Sequence, residues 1–414
     1  MNTVSPVDDV FIMDAARLSR DTIEALDCIR EHDPIYWSEK SQCWLITRHE
    51  DNVQGFSGDL PLSIDRLGMF SFSSIPIAEQ PGRIPNLLRY ATQFSVNIDP
   101  PAHTRVRKLL VKAFNRKVVE DTRPFVISKV QELMEFAAAR GGKVEFVEEI
   151  ARKLPASVIL RLLGFPQSYL PEMKHWANSL IGALASSRPP PEMHDEAEKV
   201  TVHMAQVARD EMAKRRVEPQ EDLLTQLVRA HDDDDRLSDD ELIGNLILLI
   251  VAGHDTTSNT LTLVTHALAE HPQCWEFMYA HPEKLAACAD ELMRYVQMSF
   301  VQPRVASEDF VWNGKAIKRG QIVMLLQGVG NRDPRVFAAP DAINFERSND
   351  SVLTFGPGLH HCLGHQLAKM QVIEFLSALV SRFKSVKVLD KELRFMPQIG
   401  FRGLYEMNVR FDPR

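Results

Sequence analysis

The chain has 414 residues, 44% of them hydrophobic and 25% charged, with a formal net charge of −8 at pH 7. That balance supports a sizeable core, excludes intrinsic disorder and argues against general nucleic-acid binding. The five cysteines (Cys28, Cys43, Cys274, Cys288 and Cys362) lack close pairs or framework spacing, so a reduced, cytoplasmic chain without disulfides is expected.

The N-terminus carries Asp8, Asp9 and Asp14 among short apolar stretches, without the basic start and apolar core of an export signal. The longest apolar run, Leu246 to Ala252, falls far short of the roughly 20 residues that span a bilayer, so no membrane anchor is expected. Asp21 to His32 predicts a helix, followed by a hairpin of short strands over 34–38 and 43–47. From Pro61 to Asn97 prolines, glycines and apolar residues alternate without period, which predicts a long irregular loop. Such a loop reads as a cover over a substrate, or else as a plain surface loop.

Helical patterns dominate 101–227, with breaks expected at Pro124, Gly141-Gly142, Pro166, Pro171 and the run from Arg188 to Pro191. The acidic run 231–235 reads as a solvated connection. Ser238 with Glu241 is a capping box, and the helix it opens is expected to reach about Glu270, before Pro272. At 1.5 Å per residue that is a rod of roughly 45 to 50 Å. A helix near Pro282 to Tyr295 precedes strand signals at Val305–Ala306, Phe310–Trp312 and Ile322 to Leu326, with an Asn313-Gly314 turn between them. No repeat and no separating linker appears.

The most informative segment is Phe355-Gly356-Pro357-Gly358-Leu359-His360-His361-Cys362-Leu363-Gly364. Gly356, Gly358 and Gly364 permit positive φ and close approach to a flat partner. From Leu363 the apolar residues Leu367, Met370, Ile373, Leu376, Val380 and Phe383 recur at helical spacing, so Cys362 stands near a helix N-terminus that favours a thiolate. A lone cysteine more often packs as a small hydrophobe. Here the whole pattern, Phe-Gly-x-Gly-x-His-x-Cys-x-Gly, resembles the haem-binding loop of the cytochrome P-450 family of haem-thiolate monooxygenases.

That resemblance implies a mainly α fold with a small β region, in a single domain over residues 1–414. It implies haem b held through Cys362, with Phe355 and Gly364 in the haem loop and O2 as co-substrate. Ala252-Gly253-His254-Asp255-Thr256-Thr257, which interrupts an apolar helix centre, resembles the family's oxygen-binding segment. Ala252 and Gly253 would then border the oxygen, Thr256 would hydrogen-bond it and Asp255 would relay protons. His254 reads instead as a hydrogen-bonded core histidine. Glu291 and Arg294, three apart on a helix, resemble the family's Glu-x-x-Arg pair, with Arg347 as its third member in a structural role. His103, Arg107, Arg304 and His360 resemble the groups that meet the haem propionates.

By the same resemblance the substrate pocket would draw on Met69, Phe70 and Phe72 of the irregular loop and on Leu248 and Val251 of the long helix. Phe300, Val301, Phe401 and Leu404 would complete it around an apolar small molecule. Between His103 and Lys117 six bases (Arg105, Arg107, Lys108, Lys112, Arg116 and Lys117) occur without an acid, which reads as a docking face or as a solvated basic face. The family places this helix on the cysteine side of the haem, where an acidic ferredoxin or flavodoxin would bring electrons from NAD(P)H to a monomer. No nicotinamide or flavin fingerprint appears in the chain itself. A peroxygenase is a rival, although that branch replaces the acid and alcohol that Asp255 and Thr256 retain. A haem-based gas sensor or carrier is another.

Overall fold

The computed structural model describes residues 20–186, 189–229, 231–232, 235–396 and 400–414. Side chains of residues 20–24, 69–70, 231–232 and 235 lie outside the description. The chain opens with α1 (Arg20–His32), β1 (Ile35–Ser38), β2 (Cys43–Ile46) and α2 (His49–Ser57). The segment expected to be irregular is not: it holds β3 (Leu62–Ser63), a π-helical turn (Leu67–Ser71), α3 (Gln80–Arg83) and α4 (Pro85–Ala91). These elements are too short to show a period, and α3 and α4 carry Pro81 and Pro85 in their first turns, where the missing N–H costs nothing.

There follow α5 (Ala102–Ala113), α6 (Arg116–Ala139), β4 (Lys143–Glu145), a second π turn (Val147–Ala151), α7 (Lys153–Leu163), α8 (Leu170–Ala185), α9 (Pro191–Val217) and α10 (Leu223–Val228). Pro124 does not break its helix but sits inside α6. Packing of α6 on its neighbours outweighs the one lost hydrogen bond. The breaks expected near Pro171 and Pro191 do occur, and these prolines fall in the first turns of α8 and α9. Arg188 lies outside the described residues. The acidic run forms a two-rung hairpin of β5 (His231–Asp232) and β6 (Asp235–Arg236), with 233–234 undescribed.

The capping box forms as expected: Ser238 and Glu241 exchange side-chain and backbone bonds, opening α11 (Asp239–Glu270, 32 residues). Then come α12 (Gln273–Ala280), α13 (Leu285–Val296), β7 (Gln302–Ala306), β8 (Phe310–Trp312), β9 (Lys315–Ile317), β10 (Ile322–Leu325), α14 (Gln327–Gly330), α15 (His365–Arg382), β11 (Phe383–Val388) and β12 (Asn408–Pro413). The Asn313-Gly314 turn has φ of 47° and 82°, as a tight hairpin requires. A five-stranded sheet runs β1-β2-β10-β7-β3, and a three-stranded one β11-β12-β4. Helices α4, α7, α8, α9, α13 and α15 pack around α11, which threads the largest core cluster.

Two polar networks fix the surroundings of the later site. Glu291 and Arg294 are fully buried and joined at 2.7 and 2.8 Å, and Arg347 bonds Glu291 at 3.2 Å. Arg294 also donates to the carbonyls of Asn331 and Pro340 at 3.0 and 2.9 Å. The second network ties the first π turn to the α8–α9 connection. Ser71 Oγ donates to Leu184 O at 2.8 Å, Ser74 Oγ to Pro189 O at 2.6 Å, and buried His194 bonds Ser71 O at 2.5 Å. Arg83 grips Asp195 with two bonds of 2.7 Å.

His254 is buried, but its Nδ1 has no hydrogen-bond partner, contrary to the expectation of a satisfied core histidine. Burial, with the Arg152 charge in support, pushes it down to about 4.

Arg294→Leu leaves Glu291 buried without its main partner and is expected to cost about 3 to 5 kcal/mol, read from the urea midpoint. A second expectation concerns acid. A histidine held neutral in the fold but charged when unfolded contributes stability that is complete above its unfolded pKa near 6.5 and is lost as pH falls towards about 4. The loss is on the order of 3 kcal/mol. His254→Gln should flatten that limb in denaturation curves taken at successive pH values.

Candidate functional site

The loop before α15 is shaped by two glycines. Gly356 and Gly358 take φ of 65° and 83°, and a Cβ on Gly358 would collide with the Phe56 carbonyl. Cys362 N donates to Phe355 O at 2.9 Å, which closes the loop before the helix begins. Gly364, by contrast, has φ −87°, a value open to any residue. Its contribution is clearance, since a Cβ there would meet nothing within 4 Å.

Cys362 is accessible, yet protein crowds it closely enough for burial to raise its thiol pKa. The two facts agree if the sulfur lines an internal hollow. The Gly364 N–H and the Arg107 charge pull the other way and are weaker. Burial is the largest of the three influences on the thiol.

Beside this loop lies a concentration of basic groups. His103 is 2% exposed with neither ring nitrogen hydrogen-bonded, and its ring centre stands 3.9 Å from that of His360. Arg304, 5% exposed, donates to Pro303 O and lies over Phe56. Arg107 reaches from α5 to the His361 carbonyl. Arg66 joins them, its Nη1 buried without a partner. Burial and mutual repulsion push Arg304 down to about 9 and His360 to about 3, and burial alone pushes Arg66 to about 10. Among the described residues Asp99 is the one carboxylate acting on this group, and it is committed to Ser63 and to Ile64 N. Desolvated cations without anions are costly, so the cluster is suited to an anionic ligand. Arg66 escaped the sequence reading because it sits alone in a segment without period.

The burial of α11 changes at its centre. Leu242–Ile247 and Ile250 are buried, as is almost everything from His254 to Leu263, but Leu248, Leu249, Val251, Ala252, Gly253 and Thr256 are open or half-open. Leu248, Ala252 and Thr256 are four apart and share one face. An exposed alanine in the middle of a core helix marks an internal hollow. Thr256 Oγ1 donates to Ala252 O at 2.7 Å. Gly253 has a further use: a Cβ there would sit 3.0 Å from Ile159 Cδ1, so glycine lets α7 close in. Asp255 is turned off the open strip, 4% exposed, and accepts from Asn259 at 3.2 Å.

The residues expected at the substrate pocket differ in exposure. Phe72 is packed against His194, Phe300 and Val301 lie in a cluster with Met324 and Leu326, and Leu404 is fully buried. Phe401, Leu248 and Val251 remain half-exposed. Met69 and Phe70 lie in the first π turn, with side chains outside the description. The basic run is also less uniform than its sequence: Arg107 turns inward, Arg105 pairs with Glu241 and Lys117 with Asp121. Lys108, Lys112 and Arg116 keep exposed positions. No described helix is long and apolar enough to cross a membrane.

The family model for cytochrome P450 matches residues 158–280 and 278–401. A biotin biosynthesis cytochrome P450 of Bacillus subtilis is 30% identical, over 93% of this chain and 95% of its own. A mycinamicin IV hydroxylase/epoxidase of Micromonospora griseorubida is 31% identical over 89% of each. Among solved structures, P450BioI in complex with an acyl carrier protein ligated to hexadec-9Z-enoic acid superimposes with TM-score 0.85 at 28% identity, covering 94% of this chain and 98% of that one. With motif, fold and relatives in agreement, this chain belongs to the cytochrome P450 family of haem monooxygenases.

Proposed function

We propose that the chain inserts one oxygen atom of O2 into a small apolar substrate, hydroxylating or epoxidising it, with electrons from a separate ferredoxin or flavodoxin and its reductase. The observation that carries this reading is the pairing of an accessible thiol in a glycine-shaped loop with an uncompensated cluster of buried bases. The residues fit haem b: Cys362 would hold its iron, and His103, Arg107, Arg304, His360 and Arg66 would meet its propionates. Haem, when bound, supplies the redox chemistry that activates O2.

The chain's own residues do the rest. The open strip of Leu248, Leu249, Val251 and Ala252 offers only apolar surface, which excludes water and holds an apolar molecule by area rather than by charge. Thr256 places a hydroxyl on that strip, and Asp255 behind it is a carboxyl that can hold or release a proton. Since Thr256 Oγ1 donates to its own helix, it must leave the Ala252 carbonyl to serve another acceptor. Glu291, Arg294 and Arg347 keep a structural part, anchoring the segment that leads to the cysteine loop. One relative is named a mycinamicin IV hydroxylase/epoxidase, and P450BioI is solved with an acyl carrier protein ligated to hexadec-9Z-enoic acid. An apolar strip suits either.

Two measurements test this reading. The carbonyl complex of the reduced, haem-loaded protein should show the red-shifted Soret band of thiolate ligation, lost in Cys362→Ser; an imidazole-type band in the unaltered protein would refute it. Arg66→Gln should release haem to apomyoglobin roughly tenfold faster than the parent, the equivalent of about 1.4 kcal/mol. An unchanged rate would remove Arg66 from the site.

A further inference from the structure

Two imidazoles beside the cysteine take no part in the function proposed above. His361 precedes Cys362 in the loop, and His365 opens α15. Their ring centres lie 4.5 Å apart with the ring planes at 68°. His365 Nδ1 stands 3.0 Å from the Cys362 carbonyl, which can only accept, so Nδ1 carries the proton and Nε2 keeps its lone pair. A backbone carbonyl on the other ring nitrogen is the support that metal-binding histidines have, because it fixes tautomer and ring orientation together. His361 is held through its main chain instead: its N–H donates to Gly358 O at 3.1 Å, and its carbonyl accepts from Arg107. Both residues are half-buried rather than enclosed, and among the described residues no hydrogen bond engages the His361 ring nitrogens.

An imidazole nitrogen binds a transition ion at about 2.0 to 2.1 Å, which puts each ring centre roughly 3.2 Å from the ion. Two rings at adjacent corners of a square or octahedron then have centres roughly 4.5 Å apart, against roughly 5.2 Å at tetrahedral corners. The pair already has the first of these separations. Among the described residues no third His, Cys, Asp or Glu joins it, and the charge beside it is that of Arg107. Oxygen-seeking Ca2+ and Mg2+ find no carboxylate here, whereas imidazoles in a square or tetragonal arrangement suit Cu2+ and Ni2+.

We propose that His361 and His365 form a two-histidine site for a divalent transition ion of the Cu2+ or Ni2+ kind, on the loop that carries Cys362 but separate from its sulfur. The ion bonds through His365 Nε2, so the Nδ1 proton stays on the Cys362 carbonyl and none is displaced from that ring. Water fills the remaining positions. With only two protein ligands the ion is exchangeable, and a chelator removes it.

The test is electron paramagnetic resonance of the haem-loaded protein with one equivalent of Cu2+. It is run in a Cys28→Ser background, because Cys28 Sγ and His32 Nδ1, 3.8 Å apart, offer a rival thiol–imidazole pair. Two imidazole nitrogens should couple to the copper, and the ferric haem signal should broaden, since His361 adjoins the cysteine. His361→Leu and His365→Leu should each weaken Cu2+ binding roughly tenfold or more by calorimetry, whereas His203→Gln, at an exposed histidine elsewhere, should leave it unchanged. Copper held through one nitrogen, or held with parental strength in both leucine variants, overturns the site. Should those variants fail to load haem, the nitrogen count in the parent decides alone. That count does not depend on haem and stands whatever becomes of the function proposed above.

Discussion

The Glu291–Arg294 ion pair anchors the stretch that leads from α14 towards the cysteine loop. Both side chains are completely buried, so neither charge can fall back on water and every donor must find a protein acceptor. Those acceptors are carbonyls of the otherwise irregular stretch between α14 and the cysteine loop. Asn331 passes the constraint on, its side chain accepting from Leu353 N at 2.7 Å. Phe355 follows two residues later. A segment with almost no regular structure is thus held as firmly as a helix, by electrostatics that would be ruinous if one partner were missing.

Against that frame the site proposed for haem joins two kinds of group. One side gathers bases that repel one another, and the other presents a thiol whose pKa burial raises.

What could be read in the sequence follows from how local each signal is. The capping box, the Asn313-Gly314 turn, α15 and the Glu291–Arg294 spacing depend on neighbours a few residues apart, and all appear as expected. Pro124 misled because the packing that overrides it comes from other helices. The 61–97 segment misled because its order comes from side chains reaching α8 and α9, more than a hundred residues away. Arg66 was invisible for the same reason: a lone arginine acquires meaning only from what faces it. The buried Phe72, Phe300, Val301 and Leu404 show that apolar type does not reveal how far a residue is exposed.

The hooks from Ser71, Ser74, His194 and Arg83 have a kinetic corollary. They join two stretches far apart in sequence, and most end on backbone carbonyls, so substituting the accepting residue leaves the bond in place. Parting the stretches means breaking several bonds at once rather than one after another. Loss of any single side-chain hook leaves the remaining ones to hold the two stretches together.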